Sequence, residues 1–176
     1  MSETWNSFPI ADGYMWLLNK RRTSMRFRKG LKVDVAKLMS LMEEHEVPLA
    51  YSDEIEEIYF TYLSSKFYAD HLNGKIRLSC TYAAIEELEK NFVHELAHNM
   101  DDREFISIRD SIIKEKKLKV KYINDKYAKK NVGEYVAVGF EIFYFGTKKE
   151  KRSLKRHNSK LYNVILDLHK KYRSKR

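Results

Sequence analysis

A long amphipathic helix in the middle of the chain, predicted for residues 82–101, limits the folds open to this sequence. Its apolar side chains recur at helical spacing, with Ile85, Leu88, Phe92 and Leu96 near one side. A helix with one apolar side has to bury that side against other elements. Strand-forming sequence precedes this helix and helix-forming sequence follows it, which predicts a sheet before it in the chain and further helices after it.

The predicted sheet consists of short strands upstream of the long helix. Residues 55–63 are rich in strand formers, and two further runs, 66–69 and 75–80, flank the pair Asn73-Gly74. Asn-Gly is a hairpin signal because both residues accept the positive φ of a tight turn. The predicted fold class is therefore α+β: a small mixed sheet with a hairpin packed on the long helix, followed by a mainly helical C-terminal half.

Composition favours one folded domain without disulfides. The 176 residues are 43% apolar and include only two prolines and six glycines, with no flexible linker. A further helix is predicted from Asp34, a suitable N-cap, to the residues before Pro48. A single cysteine, Cys80, excludes an internal disulfide, and residues 1–20 show neither a signal-peptide nor a transmembrane pattern. A cytoplasmic location is therefore predicted.

The formal net charge of +9 is unevenly distributed along the chain. Residues 147–176 hold 12 basic and 2 acidic residues, a net +10, which leaves −1 for the rest. Six apolar side chains between Leu154 and Tyr172 recur at roughly helical spacing, so this segment is predicted to be an amphipathic helix docked by one face. Its lysines are expected to be solvated or, alternatively, to contact nucleic acid or an anionic surface weakly.

The long helix carries the sequence His94-Glu95-Leu96-Ala97-His98, an H-E-x-x-H motif. Residues four apart lie on one helix face, so His94 and His98 can present two imidazole nitrogens to one metal ion. Zinc favours nitrogen, sulfur and oxygen ligands, and its catalytic sites combine three protein ligands with a water molecule. Glu95 is predicted to face that water as the general base.

The motif supplies two ligands, and a third has to come from elsewhere in the chain. The candidates are Glu134, Glu141, His157 and His169. The two glutamates lie on a predicted helix, residues 133–141, that is otherwise almost wholly apolar, and a carboxylate in such surroundings needs a partner. They are nearly two helical turns apart and point to nearly the same side, so spacing leaves both open.

Residues 94–102 and 127–140 together resemble the catalytic domain of anthrax lethal factor and related zincin-fold proteases, including the Pro-Pro endopeptidases. In that family an H-E-x-G-H motif is followed by an acidic pair, and a later Tyr lies seven residues before a Glu that begins an apolar helix. Tyr127 and Glu134 reproduce this offset. The resemblance implies a zincin-like fold, Glu134 as the third zinc ligand and Tyr127 as the hydroxyl donor to the oxyanion of the tetrahedral intermediate.

Two positions depart from the family pattern. Ala97 replaces the usual glycine of the motif, and Val138 stands where the family has a further acidic residue. Zinc-bound histidines normally donate their second N–H to an outer partner such as a carboxylate. In this chain Asp101, Asp102 and Glu141 are the candidates for that role.

Together these features predict a zinc-dependent endopeptidase that hydrolyses a peptide bond of a protein substrate, acting in its own cell or inside a target or host cell. One zincin-like domain is predicted for residues 1–176, with a catalytic core at about 50–146 and the basic helix at 147–176. Substrate is expected to lie extended beside an edge strand, predicted as residues 75–80. Two alternatives are a repressor-cleaving metallopeptidase of a mobile element and a zincin-like, non-proteolytic module that binds nucleic acid through basic segments.

Overall fold

The computed structural model describes residues 6–10, 13–17, 24–27, 33–48, 51, 55–61, 69–72, 74–79 and 84–173. Side chains are described from residue 33 onward, apart from 70–72 and 101–103. Cys80 and Asn73 therefore lie outside the described residues. So does most of the run 20–32, which holds seven basic residues and is the second of the chain's basic segments.

Six strands in the described residues form one mixed sheet. They are β1 (Asn6–Ile10), β2 (Gly13–Leu17), β3 (Ser24–Phe27), β4 (Glu57–Thr61), β5 (Ala69–Leu72) and β6 (Lys75–Ser79). The strand order is β1-β2-β3-β4-β6-β5. β3, β4 and β6 run parallel to one another, whereas β2 is antiparallel to both of its neighbours and β5 is antiparallel to β6. The chain is thus a mixed α/β protein.

The predicted strand at 55–63 and the predicted hairpin are confirmed, with shifted bounds. β4 occupies the middle of the predicted run, and β5 and β6 pair around Gly74, whose φ of 73° lies in the left-handed region. The first hairpin strand was predicted at 66–69, but it begins at Ala69 and continues to Leu72. The three strands upstream of residue 28 were not predicted.

The prediction that residues 75–80 form an edge strand is wrong. β6 lies between β4 and β5, so β5 is the edge strand at that end of the described sheet. The reason is that both backbone edges of β6 are paired, one in parallel with β4 and the other with β5 through the hairpin. On the face of the sheet, Ile76 and Leu78 lie in register with Ile58 and Phe60, and all four side chains are fully buried.

Six helices complete the described fold. They are α1 (Val35–Glu44), α2 (Ile85–Glu104), α3 (Arg109–Lys119), α4 (Val132–Phe145), α5 (Lys148–His157) and α6 (Ser159–Arg173), with short 3₁₀ turns at Ile106–Ile108, Val120–Tyr122 and Tyr127–Lys129. Asp34 caps α1 as predicted, because its Oδ1 accepts a hydrogen bond from the Lys37 backbone N–H at 2.9 Å. The predicted long helix is α2, and none of the described helices is long and apolar enough to cross a membrane.

The basic C-terminal segment is docked as predicted, but as two helices instead of one. Leu154 on α5 and Leu161, Ile165 and Tyr172 on α6 are buried. The helices are separated at Asn158, which is fully buried and whose amide donates to the Tyr135 hydroxyl at 2.6 Å. A backbone φ of −123° and ψ of 51° at Asn158 ends α5 there.

The most buried helix, α4, lies between α2 and α6. Every side chain from Tyr135 to Phe140 is buried or, at Gly139, absent. A Cβ at Gly139 would stand only 2.6 Å from the Cδ2 of Leu161, so the glycine is what allows α6 to approach this closely. On its other side α4 packs along α2, which in turn contacts β5 and β6. The helix α2, which carries the H-E-x-x-H motif, therefore lies between strands β5 and β6 on one side and α4, which carries Glu134, on the other.

Candidate metal centre

The three predicted ligands converge between α2 and α4. His94 and His98 lie one turn apart on α2, and their Nε2 atoms face each other at 3.2 Å. Glu134, in the first turn of α4, places its Oε2 3.2 Å from His94 Nε2. One ligand atom from each of the three residues lies within 4.8 Å of the other two, and each residue is partly buried. The three side chains thus form one cluster whose ligand atoms are close enough together to bind one metal ion.

The local structure of α4 explains why Glu134 points into this cluster. Asn131 caps the helix, its side-chain oxygen accepting a hydrogen bond from the Glu134 backbone N–H at 2.9 Å. The carboxylate therefore leaves the first turn, on the side that faces α2. At this position it also gains from the positive end of the helix dipole.

The donor set fits a zinc ion. Glu134 Oε2 is buried and lies 3.2 Å from His94 Nε2, and it has no other polar partner in the described residues. Zn–N bonds of about 2.0–2.1 Å in a tetrahedral shell place two ligand nitrogens about 3.3 Å apart. The 3.2 Å separations match this spacing. Two imidazoles and a carboxylate are also a usual ligand set of catalytic zinc.

Glu141 orients His94 from the opposite side of the ring. Its Oε1 lies 2.6 Å from His94 Nδ1 and accepts the Nδ1–H hydrogen bond, so Nε2 is the ring nitrogen that faces Glu134 and His98. Helical spacing could not decide which of the two glutamates is the candidate ligand. In the structure Glu134 lies at Nε2 of His94, among the other ligand atoms, whereas Glu141 lies at Nδ1 on the opposite side of the ring. Glu141 takes the position of an outer carboxylate, seven residues after Glu134, while the buried Val138 cannot.

Lys90 completes this arrangement and was missed by sequence reasoning. Its Nζ forms an ion pair with Glu141 Oε2 at 2.9 Å. Burial lowers the pKa of Lys90, but the interaction with Glu141 outweighs it and raises the pKa. The signal was available in the sequence, since Lys90 lies four residues before His94 and therefore on the same face of α2.

The electrostatics of the cluster favour positive charge. Burial lowers the pKa of His94, but its interactions with Glu134 and Glu141 outweigh that effect and raise the pKa to about 9. His94 in turn lowers the pKa of Glu134, assisted by the charges of His98 and Lys130. Two carboxylates around one imidazole thus favour positive charge at this position, and a proton on His94 would compete there with a metal ion.

The predicted catalytic residues have different environments. Glu95 is only 5% exposed, and its charge acts on His94. Tyr127 lies in the 3₁₀ turn just before α4, and its ring is 36% exposed. The ammonium group of Lys130 lies 3.8 Å from the centre of that ring. The positive charge of Lys130 also acts on the Glu134 carboxylate, and Lys130 is the residue that lies over the Tyr127 ring.

The other predicted candidates lie elsewhere. His157 stacks on Tyr122 with ring centres 3.9 Å apart, and His169 Nδ1 lies 3.3 Å from the Tyr144 hydroxyl, so the structure brings neither into the cluster. Asp101 and Asp102 belong to α2, but their side chains lie outside the described residues.

Comparison with known proteins adds no family assignment. No protein-family model matches the chain, and no curated protein matches it either.

Glu141→Gln is expected to weaken zinc binding by about 10- to 100-fold, because the amide no longer holds His94 Nδ1–H with a charged acceptor. The measurement is a zinc titration against a competing chelator. Glu87→Gln, which removes an exposed carboxylate from the first turn of α2, is the matched control and should leave the affinity unchanged. Equal affinities in wild type and Glu141→Gln would show that Glu141 does not orient the ligand.

Proposed function

We propose that this protein is a zinc endopeptidase with a zincin-like fold. The observation that carries the proposal is the convergence of His94, His98 and Glu134, which combines an H-E-x-x-H helix with a carboxylate from a later helix. The mixed sheet beside α2 also supports it, because zincin-like folds place such a sheet next to the motif helix. The resemblance of residues 94–102 and 127–140 to lethal factor-like proteases favours the same activity.

His94, His98 and Glu134 would hold the zinc ion, which would supply a Lewis acid for the scissile carbonyl and lower the pKa of an attacking water toward about 7. The Glu95 carboxylate takes the proton of that water and returns it to the leaving amine. Glu95 suits this role because it is adjacent to His94 in α2 and is largely buried, which limits its contact with bulk water. His94 is held in the required tautomer by Glu141.

Substrate would bind in extended form along β5. This strand is the edge of the described sheet, it is antiparallel to β6, and α2 packs against both strands. A peptide can add its backbone to such an edge, with main-chain hydrogen bonds giving affinity and alternate side chains giving specificity. The position of β5 beside the motif helix would place the peptide backbone along the active site.

The direct test measures zinc and proteolysis together on the full-length protein. Elemental analysis is expected to find about one zinc per chain. A peptide library incubated with the protein is expected to yield new N-termini, to lose them after chelation and to regain them when zinc is restored. A protein that binds no zinc and produces no new N-termini would overturn the proposal.

Tyr127→Phe is expected to lower kcat by about 10²-fold with unchanged zinc content, because the phenol hydroxyl would donate to the developing oxyanion. Steady-state kinetics with a cleavable peptide and elemental analysis check both parts. Tyr122→Phe is the matched control, since Tyr122 is also partly exposed and its ring stacks on His157, outside the ligand cluster. A Tyr127→Phe variant with wild-type kcat would remove Tyr127 from the mechanism.

A further inference from the structure

A strongly basic segment, residues 114–130, leads to the proposed active site. It holds eight lysines against two acidic residues, a net +6. The rest of residues 1–146 holds 14 basic against 21 acidic residues, a net −7. Positive charge is therefore concentrated here as well as in the C-terminal helices. The segment ends at Lys130, just before α4 and the ligand Glu134.

Both acidic residues of this segment have partners other than its lysines. Glu115 is buried and accepts hydrogen bonds from the backbone N–H groups of Lys160 and Leu161, at the start of α6. Asp125 accepts a hydrogen bond from the Tyr127 backbone N–H through its Oδ1 at 2.6 Å. In the described part of the chain, neither carboxylate forms an ion pair with a lysine of the segment.

Two of these lysines bracket the exposed ring of Tyr127. The ammonium group of Lys130 lies 3.8 Å from the ring centre, and that of Lys126 lies 5.4 Å from it. Both lysines are exposed. In the described residues no carboxylate forms an ion pair with either of them. Two positive charges thus stand at the surface beside the tyrosine proposed to contact substrate.

The other lysine close to the cluster has its charge compensated. Lys90 forms an ion pair with Glu141, which also contacts His94. Among the described lysines near the site, Lys126 and Lys130 are thus the two without an ion-pair partner, although the Lys130 charge also acts on Glu134. A substrate side chain that meets this side encounters two ammonium groups and an aromatic face.

We propose that the enzyme selects substrates with an aspartate or glutamate side chain close to the scissile bond, held by Lys126 and Lys130. This inference rests on the proposed proteolytic function. An acidic side chain over Tyr127 gains charge-assisted hydrogen bonds from the two ammonium groups, whereas a lysine or arginine there meets like charge. The two lysines thus attract acidic substrate side chains and repel basic ones.

A binding experiment tests the inference without turnover. Two labelled peptides, Gly-Ala-Asp-Glu-Ala-Gly and its amide counterpart Gly-Ala-Asn-Gln-Ala-Gly, are titrated by fluorescence anisotropy into full-length, zinc-loaded Glu95→Gln. The acidic peptide is expected to bind about tenfold more tightly at low salt, and the difference should shrink as salt rises. Lys126→Glu/Lys130→Glu in the same background is expected to abolish the difference.

Lys114→Glu/Lys117→Glu is the matched control, because it changes the net charge equally at two exposed positions of α3. It should keep the preference for the acidic peptide. If this control loses the preference as fully as Lys126→Glu/Lys130→Glu does, the effect is one of net charge and the inference is wrong. The single variant Lys126→Glu is tested in parallel, because the double variant could lose zinc. It is expected to reduce the preference for the acidic peptide.

Peptide-library profiling separates this inference from the proposed function. Wild type is expected to cleave with Asp and Glu enriched near the scissile bond, and Lys126→Glu/Lys130→Glu is expected to lose that enrichment while still cleaving. Cleavage by wild type without acidic enrichment overturns the inference and leaves the proteolytic function standing. No cleavage by zinc-loaded wild type overturns both.

Discussion

Glu95→Gln is expected to retain about one zinc per chain and to lose peptide hydrolysis by about 10²–10⁴-fold. Glutamine has nearly the same shape as glutamate but cannot accept a proton from water at neutral pH. The side chain is 5% exposed, so bulk water offers little replacement for the missing base. The three ligand side chains are unchanged, which is why the metal content is expected to persist.

Single-turnover cleavage of a labelled peptide and elemental analysis of the same preparation measure both effects. Glu87→Gln is the matched control, since it makes the same chemical change at an exposed position of α2 and should leave both readings at the wild-type level. A Glu95→Gln variant that cleaves as fast as wild type would show that another group acts as the base. Loss of zinc in that variant would instead place Glu95 among the groups that hold the metal.

Glu134→Ala is expected to reduce bound zinc to roughly a tenth of an equivalent or less after dialysis, and with it all hydrolysis. Removal of the carboxylate leaves His94 and His98 as the two remaining ligands of the cluster. The change also removes one negative charge beside His94. The loss of a donor atom and the loss of that charge both lower the affinity of the site for a divalent cation.

Elemental analysis and thermal unfolding with and without added zinc distinguish this loss from misfolding. Wild type should unfold at a higher temperature when zinc is added, whereas Glu134→Ala should fold but show no such increase. Glu86→Ala, at an exposed position in the first turn of α2, is the control for loss of a carboxylate near a helix start. Retention of one tightly held zinc by Glu134→Ala would assign the third ligand to another residue.

The positions of His94 and His98 in the candidate metal cluster were predictable because their geometry is local. The spacing of His94 and His98 fixes their common face once α2 is a helix, and the apolar helix around Glu134 left that carboxylate few partners. The choice between Glu134 and Glu141 was not local. It depends on how α2 and α4 cross, which places one carboxylate at Nε2 and the other at Nδ1 of the same ring.

The sheet was predicted less completely than the helices. The hairpin had a turn signal at Gly74, but the position of β6 depends on its parallel pairing with β4, which joins residues far apart in the sequence. β1–β3 are four or five residues long, and runs of that length carry weak periodicity. The division between α5 and α6 also escaped prediction, since Asn158 ends a helix through contacts with Tyr135 and Lys119 that only the folded chain supplies.

The position of β5 at the end of the described sheet has a consequence for how the protein behaves in concentrated solution. An edge strand offers its backbone to any extended chain, including the same strand of another copy, and can seed aggregation. β5 is only four residues long and includes Asp70, and short length and charge both oppose growth into larger sheets. An edge of this kind resists stacking between protein molecules and would still leave room for the single extended peptide of the proposed function.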